Sequence, residues 1–482
     1  MIGKVISFNN TPSVEELWFV VTGSVKKDDF VFIKSGEIKT LGRVDDIITS
    51  NDYFNTPETL KEFSPQDFFP TDEWEFSIAK VIPLITLPEK KRPLSPVRPG
   101  DLVYHADEDM IKLFYSFDDN GLFLGSTGND INVKINLTKL FQKHLAILAM
   151  SGAGKSYLTS VIIEELLKRK KEKSLSVIVA DVHGEYVQFN EDKKFRERVN
   201  LFPAEEIKIA VRNMSSAWVV FKSLSTKQKI KLDNALSELR KEKKSFSIDD
   251  LIEKIDELPA KTSDAILGIL HDLKNMKLFD NIDNPTVDKL CKQGYLSIID
   301  FSKIISQKKR QMIIFYFGNL LFKKRMLNEA PPFVFIVEEA HNFAPQNVEI
   351  GRSISKGIIE KIAREGRKFG ASLCMISQRP VHLSTTALSQ CNTKIILRIT
   401  NPYDIDNIKK SSEGLDTSVL SRIPSLSVGE AIMIGEASGY PLIFNVRKKE
   451  VMDSKRSFDL EKLAEDYAKS KSSHDNDLDA FM

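Results

Sequence analysis

One short run of the sequence combines glycines, a lysine and a serine in an order suited to holding phosphate. It follows an apolar strand that begins at His144 and opens a helix predicted to extend to about Lys170, and it reads Ala149-Met150-Ser151-Gly152-Ala153-Gly154-Lys155-Ser156. Glycines let consecutive backbone N–H groups turn toward phosphate oxygens, and the helix N-terminus adds a favourable field. Lys155 is expected to neutralise β- and γ-phosphate charge, and the Ser156 hydroxyl to ligate Mg²⁺.

The run is therefore predicted to be a P-loop. Its candidate nucleotide-binding residues are Ser151, Gly152, Ala153, Gly154, Lys155, Ser156 and Tyr157. Ala149 stands where the first glycine of the pattern is usual, which requires that position to avoid positive φ. A chance glycine-rich turn is the alternative, and the flanking strand and helix disfavour it.

Two adjacent acids, Glu338 and Glu339, directly follow an apolar strand predicted over residues 333–337. Ligands of open α/β sheets sit at the carboxyl ends of the strands. Glu338 is placed to hold the hydration shell of Mg²⁺, and Glu339 to polarise the water that attacks the γ-phosphate. A strand that merely ends in surface acids is the alternative, and the P-loop makes it less favoured.

Polar residues also end two further predicted strands. Gln378 follows one strand and can reach the γ-phosphate or the attacking water as a sensor. Asp181, His183 and Glu185 follow the other strand. They are expected to support the residues that bind the ligand, because they are too few and too poorly spaced to form a metal site of their own. For His183, a purely structural hydrogen-bonded role is an equal alternative.

Arg364, Arg367 and Lys368 place three cations within five residues at the end of a predicted helix. A solvated face is the usual explanation of such a run. The sharper hypothesis is an arginine finger, a guanidinium supplied across a subunit interface to the transferring phosphate.

The elements that position these residues alternate between apolar strands and amphipathic helices after residue 141, which predicts an α/β domain with a mostly parallel sheet. Its predicted strands are 144–150, 177–180, 295–300, 333–337, 373–377, 394–398 and 430–434. Short β-rich runs near the N-terminus, at 17–22, 30–33 and 79–85, predict a small β-barrel or sandwich. The predicted organisation is a barrel over 1–105, a linker over 106–130, an ATPase core over 131–450 with a helical insertion at about 222–292, and a C-terminal helix and mobile tail over 451–482.

Composition narrows the class of protein. A chain of 482 residues suggests two or three domains at roughly 150 residues each. Apolar residues make up 42% and charged residues 28%, which is typical of a folded globular protein. Three scattered cysteines are too few for a disulfide framework or a four-ligand zinc site, so a cytoplasmic setting is expected. No signal-peptide core and no run of about 18 apolar residues is found, so neither secretion nor membrane insertion is expected.

Together these motifs closely resemble the HerA hexameric ATPases, relatives of the FtsK-type DNA translocases. The resemblance spans nearly the whole chain and is carried in order by residues 144–156, 181–186, 338–343, 364–370 and 377–380. It implies a RecA-like P-loop core behind a small barrel, with ATP and Mg²⁺ as cofactors. The site residues that it implies are Lys155 and Ser156 for nucleotide and metal, Glu338 and Glu339 for hydrolysis, Arg364 or Arg367 as a finger in trans, and Gln378 as the sensor.

Three departures from the family pattern stand out, and the first is Ala149 in place of the usual first glycine. Val182 occupies a position where proline is common, and Lys143 precedes His144 where family members often carry arginine. If that arginine helps stabilise phosphate charge, Lys143 offers only a point charge in its place.

The resemblance also implies partners. Such proteins form rings of six, bind ATP between subunits and thread duplex DNA through the central channel. They act in DNA end resection beside the nuclease NurA in archaea, whereas some bacterial relatives work with nuclease or NAD-consuming effectors in phage defence. This chain has no nuclease-like carboxylate constellation, so cutting would need a partner. A ring that mainly scaffolds an effector is the alternative; a small-molecule kinase is disfavoured by the barrel and the trans-finger motif.

The charge of the chain is unevenly distributed. Its net charge is only +2, yet residues 1–110 hold 12 Lys or Arg against 19 Asp or Glu, a balance of −7 that leaves +9 for the rest. Arg352 and Lys356, shortly after the Glu338-Glu339 strand, are the candidate DNA-binding residues of a basic channel. Ordinary surface cations are the alternative.

Overall fold

A computed structural model describes most of the chain and divides it into two compact units. These units are Met1–Asp119 with Gly128–Ile131, and Asn120–Thr127 with Asn132–Met482. The described residues are 1–8, 11–51, 75–216, 224–348, 353–412, 417–452, 461 and 464–465.

The first unit contains a closed antiparallel barrel with the strand order β1-β2-β5-β4-β3-β6. Its strands are β1 (Gly3–Ile6), β2 (Leu17–Val21), β3 (Phe30–Ser35), β4 (Ile38–Asn51), β5 (Glu75–Leu87) and β6 (Leu102–His105). Alternating apolar side chains such as Val5, Phe19 and Val81 fill its interior. The predicted small barrel is confirmed.

The stretch 106–130, expected to be a linker, instead contains regular structure. Helix α1 (Glu108–Tyr115) begins after Asp107, whose side chain accepts a hydrogen bond from the Met110 N–H at 2.8 Å. Its buried residues, Met110, Ile111, Phe114 and Tyr115, keep the helical spacing over only about two turns, so the helical period is easy to overlook in the sequence. Strand β7 (Leu122–Ser126) follows and joins the sheet of the second unit.

The second unit is built on one sheet in which the described residues form eleven strands, ordered β11-β14-β10-β15-β16-β9-β17-β18-β19-β7-β8. The run from β11 to β17 is parallel throughout, and the remaining pairs are antiparallel. The strands are β8 (Asn132–Ile135), β9 (Leu145–Leu148), β10 (Ser176–Asp181), β11 (Val199–Pro203), β14 (Leu296–Asp300), β15 (Phe333–Val337), β16 (Ala371–Ser377), β17 (Thr393–Ile396), β18 (Glu430–Gly435) and β19 (Leu442–Val446). The predicted mostly parallel α/β sheet is confirmed.

Helices pack against this sheet and also form the predicted insertion. Outside the insertion, the larger helices of this unit are α3 (Lys155–Lys168), α9 (Gln307–Met326), α10 (Lys356–Glu365) and α12 (Pro402–Lys410). Shorter ones are α2 (Leu137–Phe141), α4 (Gln188–Glu191), α8 (Val287–Leu290), α11 (Thr385–Ser389) and α13 (Thr417–Arg422). None of the helices in the described ranges combines the length and apolar character needed to cross a bilayer.

The insertion consists of α5 (Thr226–Glu242), α6 (Ile248–Asp256) and α7 (Ala260–Asn275), between the paired short strands β12 (Ile209–Ala210) and β13 (Phe279–Asp280). Ser225 and Ser247 each form a capping box at the start of α5 and α6. Leucines and isoleucines of the three helices join the hydrophobic cluster beside the sheet. The C-terminal helix and tail expected over 451–482 fall mostly outside the described residues.

A buried ion pair anchors the helix that opens at the P-loop. Arg447, after β19, places Nη1 2.8 Å from Glu164 and Nη2 2.7 Å from Glu165, both on α3. Glu164 is fully buried, and its Oε1 also accepts the backbone N–H groups of Glu450 and Val451 at 2.7 and 2.8 Å. These contacts fix the rotation of α3, and hence the direction in which its first turn faces.

His144 ties the start of β9 to β16 and makes the fold sensitive to acid. It is 1% exposed, and its Nδ1 accepts the Leu373 N–H at 3.0 Å. Burial lowers the pKa of His144 to about 4. Since the unfolded chain binds this proton at about pH 6.5, the stability is complete above that pH and is lost as the pH falls toward 4.

We expect the free energy of unfolding to fall by about 2 kcal/mol between pH 7.5 and pH 5 through this residue. In His144→Asn this part of the pH dependence should disappear, because the amide oxygen can accept the same hydrogen bond as Nδ1 but does not titrate. Asparagine also tolerates the φ of 61° at this position. Urea unfolding at the two pH values measures the difference. His382→Asn, at an exposed histidine, serves as the control. An unchanged pH dependence in His144→Asn would contradict the assignment.

Candidate active site

The P-loop spans residues 149–154 between α3 and β9, the middle strand of the eleven-stranded sheet. Its first residues are tied to both neighbouring strands, since Ala149 N–H donates to Ser377 O at 3.2 Å and Met150 N–H to Arg398 O at 3.0 Å. Gly152 and Gly154 have φ values of +77° and +102°, which side chains disfavour. Ala149 is not among the positive-φ residues of the described chain, so the missing glycine causes no backbone strain.

Helix α3 presents a free N-terminus at this loop. Gly154 is its N-cap and provides no side chain to bond the first N–H groups. The first turn therefore offers donors and a partial positive charge, which suit an anion. Ser151 and Gly152 are exposed, Ala153 is buried, and Gly154, Lys155 and Ser156 are partly exposed.

Glu338 is buried at the end of β15 with one oxygen satisfied and the other free. Its Oε2 accepts the N–H groups of Val182 and His183 at 2.9 and 3.2 Å, whereas Oε1 has no hydrogen-bond partner among the described residues. Burial and the nearby carboxylates of Asp181 and Glu185 raise the pKa of Glu338 well above its ordinary value.

Glu339 lies beside Glu338 but in the opposite electrostatic environment. Its Oε1 is 3.7 Å from Lys155 Nζ and 3.7 Å from His183 Nε2, and its Oε2 is 3.5 Å from His341 Nδ1. Although burial opposes ionisation, contacts with His183, Lys155 and His341 hold the pKa of Glu339 below its ordinary value. Adjacent acids whose pKa values are pushed apart are the usual sign of divided roles, and here Glu339 is the ionised member.

The turn after β10 contributes more to the site than the sequence indicated. Asp181 accepts the N–H groups of Glu185 and Tyr186, each at 2.9 Å, and so shapes the turn. Burial opposes the ionisation of Glu185, but the neighbouring Glu338 and Ser156 side chains hold its pKa below the ordinary value. Glu185 therefore lies close to both predicted metal-binding residues.

His341 links the acidic pair to the strand that carries Gln378. Its Nδ1 is 3.1 Å from Ser377 Oγ, which also accepts the Arg379 N–H at 3.1 Å. Gln378 and Ser151 line a cavity of about 470 Å³ on the open side of the P-loop. The sequence places these residues at one edge, but it gives no sign that His341 bridges them.

The predicted finger residues do not reach the P-loop of their own chain in this structure. Arg364 is 49% exposed, and its Nη1 lies 3.7 Å from Glu360 on the same helix. Arg367 is exposed on the 3-10 turn Gly366–Lys368. Both side chains are thus exposed to solvent.

The remaining candidate residues are Lys356, Arg352 and Lys143. Lys356 is only 11% exposed, and its Nζ donates to the carbonyls of Gln346 and Val348 at 3.3 and 2.8 Å. Its ammonium is thus bound to backbone oxygens here, and its role as a DNA contact stays a prediction. Arg352 lies outside the described residues. Lys143 sits at the amino end of β9 with Nζ 2.5 Å from Glu436, so it is not at the phosphate site of its own chain.

Tyr157, the last of the predicted nucleotide-binding residues, faces the segment after β19. Its hydroxyl accepts the Lys449 N–H at 2.8 Å, and the Lys449 ammonium lies 5.4 Å from its ring. The phenol is therefore engaged in packing.

The donor set suits a magnesium ion held largely by its substrate. Within the described chain no cluster of three or more His, Cys, Asp or Glu side chains could hold a metal unaided. Mg²⁺ usually takes one or two protein oxygens and completes its shell with water and phosphate. The unpartnered Glu338 Oε1 and the Ser156 hydroxyl are oxygens of this kind.

Fold and site together define a P-loop ATPase. Residues 121–320 match the family model "Helicase HerA, central domain". A probable helicase of Methanocaldococcus jannaschii is 30% identical, with 90% of this chain and 89% of the relative covered. The DNA double-strand break repair helicase HerA of Pyrococcus furiosus is 30% identical, with 73% of each chain covered. The chain belongs to the HerA helicase family and is an ATP-hydrolysing enzyme.

Solved structures share this fold at low sequence identity. VirB4 of Thermoanaerobacter pseudethanolicus superimposes with a TM-score of 0.53 at 14% identity, covering 68% of this chain and 97% of its own. The bacterial conjugative coupling protein TrwB gives a TM-score of 0.50 at 11% identity, covering 73% and 95%. These likenesses establish the architecture.

Proposed function

We propose that this chain is a ring-forming, ATP-driven translocase of double-stranded DNA that works with a partner nuclease in end resection and repair. The observation that carries the motor assignment is the ionised Glu339, 3.7 Å from the P-loop Lys155 and next to an acid of raised pKa. The name of the Pyrococcus relative, a double-strand break repair helicase, supports DNA as the substrate.

The roles follow from the environment of each side chain. Lys155 and the N–H groups of the α3 N-terminus hold the phosphates of ATP. Glu339 accepts the proton of the attacking water, since its pKa keeps it ionised. His341 holds Glu339 at the edge of β15 through its contact with Ser377, and Gln378 faces the open side of the loop.

Glu338, Ser156 and Glu185 would hold the Mg²⁺ shell. When bound, Mg²⁺ offsets the charge of the β- and γ-phosphate oxygens. The raised pKa of Glu338 is the expected state of a carboxylate that lacks a cation partner beside two other acids.

The function is tested by ATP turnover with and without duplex DNA at stated salt, because phosphate contacts weaken steeply with salt. A translocase should turn over faster with DNA. Turnover that ignores duplex DNA would contradict the proposal and favour a nucleotide-regulated scaffold that assembles an effector.

Lys155→Ala should lower ATP turnover to less than a tenth of wild type, because the loop loses its one fully charged side chain; one donor to developing charge is commonly worth about 10²-fold. Phosphate release measures the effect. Lys229→Ala, which removes an exposed lysine of α5, is the matched control. Turnover above a tenth of wild type in Lys155→Ala would reject the phosphate role.

A further inference from the structure

A strongly basic surface lies at the amino ends of the parallel strands, the edge opposite the P-loop. It is formed by residues 168–173 at the end of α3, 288–295 before β14, and 323–329 at the end of α9. These segments hold ten Lys or Arg and three Asp or Glu, a net charge of +7. They account for most of the +9 carried by the chain beyond residue 110. We call this the amino-edge surface.

Direct contacts make the three segments one surface. Gln293 Nε2 donates to Glu172 O at 3.1 Å, which joins the first segment to the second. Lys324 Nζ lies 2.9 Å from Asp288, which joins the second to the third. The surface is therefore contiguous although its first segment is more than 100 residues from the other two in sequence.

Two lysines of this surface converge on one tyrosine. Lys171 Nζ lies 3.2 Å from the Tyr295 hydroxyl, and Lys292 Nζ lies 3.8 Å from the centre of the ring. Both lysines are exposed, and their contacts in the described chain are with the phenol. Hydrogen bonds from both lysines lower the pKa of Tyr295. Two ammonium groups held this close repel each other, and an anion between them would relieve the repulsion.

Ordinary helix stabilisation explains only part of this arrangement. Cations in the last turns of α3 and α9 complement the helix dipoles. Lys292 lies on neither helix, however, and Lys171 lies beyond the end of α3. The pair therefore needs another explanation.

The lysine content indicates the kind of partner. Eight of the ten cations are lysine, a residue that is depleted at protein–protein interfaces. Lysine and arginine dominate contacts to nucleic-acid phosphates. We infer that the amino-edge surface binds the phosphate backbone of duplex DNA, apart from the ATP site. This inference rests on the proposed function for its choice of substrate.

The test neutralises the converging pair. Lys171→Gln with Lys292→Gln removes two phosphate contacts, so we expect about a tenfold weaker affinity for duplex DNA at 0.1 M salt. The slope of log affinity against log salt should become shallower by about 2. Fluorescence anisotropy of a labelled 30-base-pair duplex between about 50 and 200 mM salt measures both quantities. DNA-free ATP turnover should remain at the wild-type value, because the pair lies at the far edge of the sheet.

The matched control is Lys229→Gln with Lys231→Gln, which removes the same charge from two exposed lysines of α5. If the two double variants bind duplex DNA equally, the proposed role of the amino-edge surface in DNA binding is rejected, while the proposed function of the chain stands. If the wild-type chain binds no duplex DNA, the proposed function fails as well. Retained DNA binding with loss of polyglutamate binding would instead assign the surface to an acidic polypeptide and overturn the inference.

Discussion

Replacing both Arg364 and Arg367 with alanine should lower ATP turnover about 10³-fold while leaving nucleotide binding within about threefold of wild type. The reason is geometric, because both guanidinium groups are exposed and neither contacts the P-loop of its own chain in this structure. A neighbouring copy in a closed ring would bring them to the transferring phosphate. Phosphate release and nucleotide affinity, measured on the same samples, separate the two effects. Lys368→Ala, on the same exposed turn, is the matched control.

A mixing experiment decides whether the finger acts in trans. Lys155→Ala subunits keep the finger and lose the phosphate-binding lysine, whereas the double arginine variant has the reverse defect. Mixed in equal amounts, about a quarter of the interfaces would combine intact parts, so about a quarter of wild-type turnover should return if interfaces act independently. A finger that acts in cis leaves every mixed interface inactive. A monomer with full turnover would reject the ring altogether.

Glu339→Gln should lower turnover by roughly 10²- to 10⁴-fold and still bind ATP, because the amide keeps the shape and loses the basicity. The structure strengthens this expectation. Glu339 is the ionised acid of the pair, and its oxygens lie 3.5–3.7 Å from Lys155, His183 and His341.

Two variants make this result specific. Glu329→Gln changes an exposed acid and should leave turnover unchanged. Glu338→Gln should instead raise the Mg²⁺ concentration needed for half-maximal turnover, since its role is to hold the metal shell. Normal turnover in Glu339→Gln would move the base role to Glu338 or to another residue.

Much of the site could be predicted because its signals are local. The P-loop and the Glu338-Glu339 pair are contiguous runs that each follow an apolar strand. In a parallel sheet the carboxyl ends of such strands share one edge, so Lys155 and Glu339 had to meet. The helical insertion could likewise be predicted from the spacing of its apolar residues, since α5 to α7 each place them along one face of the helix.

Several strands escaped prediction for an equally physical reason. β7, β8 and β19 are short antiparallel strands with mixed polarity, and β11 ends in Pro203. None carries the continuous apolar run of a buried parallel strand. Their place in the sheet depends on pairing with distant segments.

The sequence alone determined the class of chemistry, because phosphate binding and water activation are encoded in short runs whose backbone conformation is local. The tertiary structure decided which groups each charged side chain contacts. Glu339 is ionised because His183 approaches it from the turn after β10 and Lys155 from α3, in addition to His341 of its own turn. The Lys356 ammonium is bound to two carbonyls of the segment just before α10. The amino-edge surface exists only because three separated segments meet. Charges act through space over a few ångströms, and sequence order does not record those distances.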